Sequence, residues 1–251
     1  MIVIRIFLNA TIMAAEIAAV AGIAALGYTY PFWFAAGTAL LAFLLGLSLE
    51  SARLRNELPF YFERAQGLRF VLVPFVGFVE ALMKGVLAGL AELFTFAGTD
   101  HDRLFWVSVI FGVTVYLGAS VLRALSIKFA AHPSRWGFFR LGPPLGLLFS
   151  AGLGVAGALG LIAHATVGEI GWKLVWELPE KPSISQVSEL FFQLKQAFDD
   201  FIVTLLSLGL DKEWARVVGV FVSVNVLSGF VASVYAAVIA SCVRAAERHL
   251  P

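Results

Sequence analysis

The sequence has few charged residues, one cysteine and only one sizeable polar stretch. Of its 251 residues, 14% are charged and 60% are hydrophobic, and the mean hydropathy is +0.88. Soluble domains carry about a quarter charged residues. Because so little charge cannot cover a globular surface in water, the composition excludes an ordinary soluble domain and predicts a polytopic membrane protein.

The scarcity of other residue types excludes several kinds of site. Cys242 stands alone, so the chain has no intrachain disulfide, Cys-ligated iron–sulfur cluster or Cys-rich zinc site. The net charge of +1 gives no basic surface for nucleic acid. No His-Glu-x-x-His, P-loop or Gly-x-Ser-x-Gly motif is present. We therefore expect no cofactor, and an enzyme is only a distant third possibility.

Two histidines leave a weaker metal alternative open. His101 and His164 are expected on the same side of the membrane, near acidic residues, and imidazole with carboxylate suits zinc or copper. Their spacing matches no standard ligand pattern. We therefore predict no metal site and interpret them as solvated loop residues.

Long apolar runs without strand-like alternation predict an all-α membrane bundle that forms one domain over residues 1–251. The N-terminal run contains Glu16 and is too long for a signal peptide, so it is expected to be retained as a first span. Six transmembrane helices are predicted, approximately at residues 6–27, 33–49, 70–98, 104–127, 144–167 and 215–242.

The charges between these spans predict a topology. Residues 50–69 are rich in arginine and are expected to form a cytoplasmic surface segment. Residues 169–213 hold four lysines against eight acidic residues and are expected to form an extracytoplasmic helical insert. Both termini are then cytoplasmic, as in a multi-pass protein of the bacterial inner membrane.

The third predicted span carries two rows of special residues. Glu80, Lys84 and Glu92 share one helical line because they are separated by multiples of four. A neighbouring row of small residues would allow another helix to approach closely. This small row consists of Gly77, Ala81, Gly85 and Gly89. The fifth span, with Gly146 and Gly154 on one side, is the expected partner.

Charge within a span is costly, so these residues are expected to face protein or water. Glu80 and Lys84 are predicted to pair, and Glu16, Glu92 and Arg123 could add further stations to an ion or proton path. In the alternative interpretation, the pair only neutralises itself, Glu92 reaches the outer interface and Arg123 extends to the inner one. Glu80 could also meet Arg123.

The insert contains a predicted amphipathic helix that begins after Ser183, with Gln186 completing a capping box. Its apolar stripe should be covered by the outer leaflet, the mouth of the bundle or another chain. Candidate partner contacts on this stripe are Phe191, Leu194, Phe198 and Phe201, with Trp172 and Trp176 preceding them.

Two functions fit this pattern. The favoured prediction is a non-enzymatic subunit of a larger or homo-oligomeric membrane assembly, with the lipid bilayer and other membrane subunits or further copies as partners. The alternative is an ion- or proton-coupled channel or transporter that uses Glu80, Lys84 and Glu16.

Overall fold

The computed structural model describes residues 2–61, 69–162 and 183–248, and within these ranges the chain is helical without any strand. The prediction of an all-α fold is thus confirmed. The helices are α1 (Ile2–Thr29), α2 (Pro31–Tyr61), α3 (Arg69–Thr95), α4 (His101–Phe129), α5 (Pro133–Trp136), α6 (Gly142–Ala158), α7 (Ile184–Ser207), α8 (Lys212–Val222) and α9 (Ser228–Arg248), with a 3-10 helix at Val224–Leu227.

Five helical segments in the described ranges are long and apolar enough to cross a membrane. They are Phe7–Thr29, Pro31–Glu57, Val73–Thr95, His101–Phe129 and Lys212–Glu247. The predicted fifth span corresponds to α6, which has 17 residues and is therefore about 26 Å long, less than the roughly 30 Å of a bilayer core. Residues 163–167 of that prediction lie outside the described residues.

Residues 50–61 do not form a separate surface segment, as the sequence had suggested, because α2 continues unbroken to Tyr61. The Arg53 guanidinium lies 2.7 Å from Glu57 and 3.2 Å from Glu50. Such pairs at i, i+3 and i, i+4 stabilise a helix, so charge prolongs α2 instead of ending it. Residues 62–68 of the predicted segment, with Arg64, lie outside the described residues.

The last membrane segment, predicted as one uninterrupted helix, is broken near its middle. Ser223 leaves helical geometry with ψ of 151°, and the 3-10 helix then separates α8 from α9. The Ser223 hydroxyl accepts a hydrogen bond from the Asn225 backbone N–H at 3.1 Å. Ser and Asn side chains compete in this way with helical backbone bonds, which explains the break.

The small-residue row of α3 lies against α2, in the most extensive helix pair of the structure. A Cβ added at Gly85 would lie 2.8 Å from the Ala39 carbonyl oxygen, so only glycine allows this approach. Further along, the Ala81 backbone would lie 3.1 Å from a Cβ at Gly46. The predicted partner was therefore wrong, because the small residues of α2 itself fit this row.

The glycines of α6 have different neighbours. Gly146 packs directly against the backbone at Val226, where no side chain could fit, and Gly154 faces Val220 of α8. The glycine-rich helix α6 therefore packs against the broken last segment and not against α3.

Neighbouring turns fix which helix ends lie together. The Tyr28 hydroxyl, at the end of α1, lies 3.3 Å from Nδ1 of His101 at the start of α4. Because α3 ends at Thr95 just before α4 begins, these residues mark one end of the bundle, which we call the His101 end.

Replacing Gly85 by leucine should lower the free energy of unfolding by about 2 kcal/mol, because the side chain would force α2 and α3 apart. Thermal unfolding in mild detergent measures this. Gly37→Leu is the matched control on α2, since a Cβ there meets nothing within 4 Å. Equal loss in both variants would contradict the close contact.

Candidate functional site

The Lys84 ammonium group pairs with Glu50 of α2 and not with Glu80, contrary to the prediction. Glu50 is 1% exposed and Lys84 also lies over the Phe139 ring, 5.2 Å from its centroid. The physical reason is that α2 approaches α3 so closely that a carboxylate on the neighbouring helix can reach Lys84.

Glu80 is the most exposed member of the charged row, with 36% of its side chain accessible. It lies 3.7 Å from Arg53 of α2, at ion-pair distance. The expected pairing with Lys84 or Arg123 is therefore not formed, and Glu80 belongs to the edge of the α2–α3 contact.

Arg123 joins three helices. Its guanidinium donates to Glu247 Oε1 of α9 at 2.6 and 3.0 Å and lies 3.9 Å from Glu16 Oε2 of α1. Arg123 therefore does not simply extend to the membrane interface, as the alternative interpretation supposed. Its single positive charge is shared between two carboxylates, and it links the first helix to the last.

Glu92 is completely buried, with 0% of the residue exposed, and does not reach an interface as the alternative interpretation supposed. Neither of its carboxylate oxygens has a hydrogen-bond partner among the described residues, and none of the ion pairs found there includes it. A carboxylate in such surroundings is stable only with a bound proton or a bound cation.

Hydroxyl groups from three helices surround the level of Glu92. Tyr235 of α9 lies within electrostatic reach of Glu92, and its hydroxyl is 2.7 Å from that of Thr38 in α2. One turn further along α3, the Thr95 hydroxyl lies 2.7 Å from that of Ser228. These hydroxyls are paired with one another and do not contact the Glu92 carboxylate.

The break in the last segment adds more polar groups beside Thr95. The Asn225 amide nitrogen donates to Ser223 Oγ at 2.7 Å, while the buried Asn225 Oδ1 has no partner within the described ranges. Asp199 of α7 accepts from the Val224 N–H at 2.9 Å and from the Ser223 hydroxyl at 2.8 Å. The carboxylate thereby replaces helical partners that the break removes.

The polar face of α7 is turned inward. Ser188, Lys195 and Asp199 are buried, and the Lys195 ammonium group donates to the Phe94 carbonyl oxygen at 3.3 Å. Burial, followed by the nearby Arg103 cation, lowers the pKa of Lys195 to about 7, against an opposing effect of Asp199. Burial raises the pKa of Asp199, although its two hydrogen bonds and Lys195 oppose this.

The predicted contact stripe of α7 therefore points away from the bundle. Leu194, Phe198 and Phe201 are 41–47% exposed, whereas Phe191 packs edge-on against Phe94 with ring centroids 5.5 Å apart. The predicted capping box is present at Ser183 and Gln186. Trp172, Trp176 and residues 169–182 of the insert lie outside the described residues.

The metal site considered for His101 and His164 has no matching cluster of ligands in the described part of the chain. His101 is bonded to Tyr28, and no group of three His, Cys, Asp or Glu side chains there could hold a metal ion. His164 lies outside the described residues.

Sequence reasoning missed Glu50, Tyr235 and the inward side of α7. A signal for Glu50 was present, because it follows Ala42 and Gly46 at intervals of four on the small-residue face of α2. For Lys195 the signal was weaker, since it is one polar residue among several on an amphipathic helix and only the fold gives it a partner.

Comparisons of the chain with protein-family models, with curated proteins and with solved structures return no match.

The arrangement divides the buried charges into two classes. The acidic groups of the Glu50–Lys84 pair and of the Arg123 cluster each have a cation within ion-pair distance, and such groups chiefly orient helices. Glu92 is different, because it is fully buried and has neither a hydrogen-bond partner nor a paired cation among the described residues.

Removing either partner of the buried pair should be worse than removing both. Glu50→Gln or Lys84→Met should each lower the free energy of unfolding by about 3 kcal/mol, because one buried charge is left poorly compensated. The double variant should recover part of that loss, as measured by a double-mutant cycle in detergent.

The control cycle uses Glu80→Gln with Lys84→Met, which should give no coupling energy because these side chains do not pair. A coupling energy between Glu80 and Lys84 larger than that between Glu50 and Lys84 would instead support the pairing predicted from the sequence.

Proposed function

We propose that the protein moves a proton or a small monovalent cation across a membrane, with Glu92 as the group that takes up and releases it. The observation that carries this proposal is the fully buried Glu92 carboxylate, whose oxygens have no hydrogen-bond partner among the described residues. A protein retains such a group at considerable cost, so intramembrane carboxylates of this kind commonly mark ion or proton pathways.

The broken last segment supports the same proposal. Discontinuous membrane helices expose backbone groups and polar side chains that transporters use to bind their ions. Here the break supplies Ser228 beside Thr95, and Thr95 is one helical turn from Glu92. Ion entry from the His101 end is then the shorter route, because α3 ends at Thr95.

Proton and sodium share the chemistry that this site offers. Either ion neutralises the carboxylate, and the hydroxyls of Thr38, Thr95, Ser228 and Tyr235 can supply oxygen ligands or relay hydrogen bonds. The proposal also includes a topology, with six spans in a bacterial inner membrane, both termini in the cytoplasm and the His101 end outside.

Glu92→Gln should abolish ion movement in reconstituted vesicles. The amide has nearly the same shape and no charge, so the variant should fold while losing the exchangeable site. A pH-sensitive dye enclosed in vesicles, under an imposed gradient of pH or of sodium, reports the initial rate with and without sodium.

The matched control is Glu213→Gln, which changes an exposed carboxylate at the start of α8. It should leave the rate unchanged. Equal rates for the parent, Glu92→Gln and protein-free vesicles would overturn the proposal, and dependence on sodium would separate the two ions.

A second candidate function is that of a subunit in a larger or homo-oligomeric membrane assembly. The observation that favours it is the exposed stripe of α7, with Leu194 and Phe198 projecting from a helix whose polar face already contacts its own bundle. A stripe of this kind is suited to lipid or to another membrane helix.

If the stripe binds another subunit or a second copy, Leu194→Gln with Phe198→Gln should dissociate the assembly. The mass of the complex in mild detergent measures this. Leu40→Gln with Leu44→Gln is the matched control, an exposed pair at the same i, i+4 spacing on α2. An unchanged mass of the α7 variant would mean that the stripe contacts lipid and not another subunit.

A further inference from the structure

The orientation of α7 is the reverse of that found in helices of soluble proteins. Ser188, Lys195 and Asp199, at spacings of seven and four, share one face and are buried against the bundle. Leu205, on the stripe opposite, is 54% exposed. In water the apolar face would be turned inward. An apolar environment outside the bundle allows this arrangement, and polar contacts then add to the packing of Phe191 and Phe192 in holding α7.

These polar contacts occur at three points along the helix. Ser188 Oγ accepts from the Gly98 N–H at 3.0 Å and donates to the Gly98 carbonyl at 3.2 Å. Lys195 binds the Phe94 carbonyl, and Asp199 binds the backbone and hydroxyl at the break of the last segment. These three points lie at the end of α3 and at the break, while Phe192 also contacts Arg103 of α4 and Val203 faces Gly219 of α8.

Those points lie close to Glu92 along the chain, at the His101 end. Phe94 is two residues from Glu92 on α3, Gly98 follows the end of that helix, and Val224 belongs to the 3-10 helix that precedes Ser228, the residue beside Thr95. If α7 left this position, a backbone carbonyl of α3 and a backbone N–H of the 3-10 helix would become available to water.

We propose that α7 is a lid over the His101 end of the Glu92 site, and that the ammonium group of Lys195 controls how firmly this lid docks. The inference rests on the proposed function for its role in ion movement. The docking contacts themselves stand independently of that role.

The charges around Lys195 determine whether its protonation strengthens or weakens docking. Arg103 of α4 lies nearby, where it donates to the Ala97 carbonyl at 2.5 Å and stacks over Phe192 of α7 at 4.0 Å. Asp199 is the nearby anion, and Asp100 and Glu189 act on Arg103. A second cation beside Arg103 weakens docking, so the neutral form of Lys195 docks more firmly.

The pH window follows from the pKa of Lys195, which is lowered by burial from 10.5 to about 7 in the docked state. Between these values the undocked lid binds a proton that the docked lid lacks. Docking should therefore weaken as the pH falls through this window, by up to about tenfold per pH unit. The raised pKa of Asp199 acts in the opposite direction, because the docked state retains that proton more readily.

The docking can be measured without any ion flux. Spin labels at Leu205→Cys on α7 and at Ile127→Cys on α4, in a Cys242→Ser background, report the distance between the lid and the far end of α4 in the full chain in vesicles. Both labelled positions are exposed. A longer-distance population should grow as the pH is lowered from 9.5 to 7.5.

Lys195→Met and Lys195→Gln are the matched variants. Both remove the titrating group but keep Asp199 and Arg103, so they should remain docked with no growth of that population over the same range. A parent distance that does not change with pH, or a change that persists in both variants, would overturn the control by Lys195.

A second experiment tests the lid against ion movement. Thr99→Cys and Glu189→Cys place thiols at two positions whose side-chain oxygens lie 3.3 Å apart, so a short bifunctional thiol cross-linker that contains a disulfide should lock the lid. Locking should stop Glu92-dependent flux, and a reductant should restore it.

Flux that depends on Glu92 but continues in the locked protein would overturn the lid and leave the proposed function standing. Absence of flux in the unlocked parent would overturn the proposed function, and the spectroscopic distances would still decide whether the helix docks as proposed.

Discussion

An ionised side chain in an apolar interior needs a partner of opposite charge, and this constraint accounts for the ion pairs between the helices. Glu50 fixes α2 against Lys84 of α3, and Arg123 holds the first and last helices together through Glu16 and Glu247. The first pair joins consecutive helices, whereas the Arg123 cluster joins helices that are distant in sequence. Charge therefore contributes to which helices are neighbours, while small residues determine how closely they approach.

Glu92 is the exception to this constraint. Its helix lies in a closely packed pair, so the side chain cannot move to the surface without disrupting that contact. Simple packing would be better served by an apolar residue at this position. Hydroxyl groups and a helix break lie at the same end of the bundle, and none of them supplies a compensating charge. Under the proposed function, the compensating partner is an ion that arrives and leaves.

Periodicity and composition were sufficient for the helical class, for the close-packing row on α3 and for the cap of α7, because these properties depend on local spacing. The partner of Lys84 was not predictable in the same way. Glu80 is nearer in sequence, but Glu50 is nearer in space because α2 is continuous beyond the predicted membrane boundary. The break at Ser223 was also missed, since its stability depends on Asp199, 24 residues away. Contacts between distant segments determine both outcomes, and no single window of sequence contains them.

The orientation of α7 depends in the same way on whether water or lipid surrounds the bundle. In water its phenylalanines would have to be buried, but against lipid they cost nothing when they point outward, and the polar face becomes the one that needs protein. The bundle offers that face the unsatisfied carbonyl groups at the end of α3 and the open backbone at the break. Polar contacts of this kind are specific but modest in net energy, because water can replace them. Contacts of this kind, which water can replace, are the physical basis for proposing α7 as a lid.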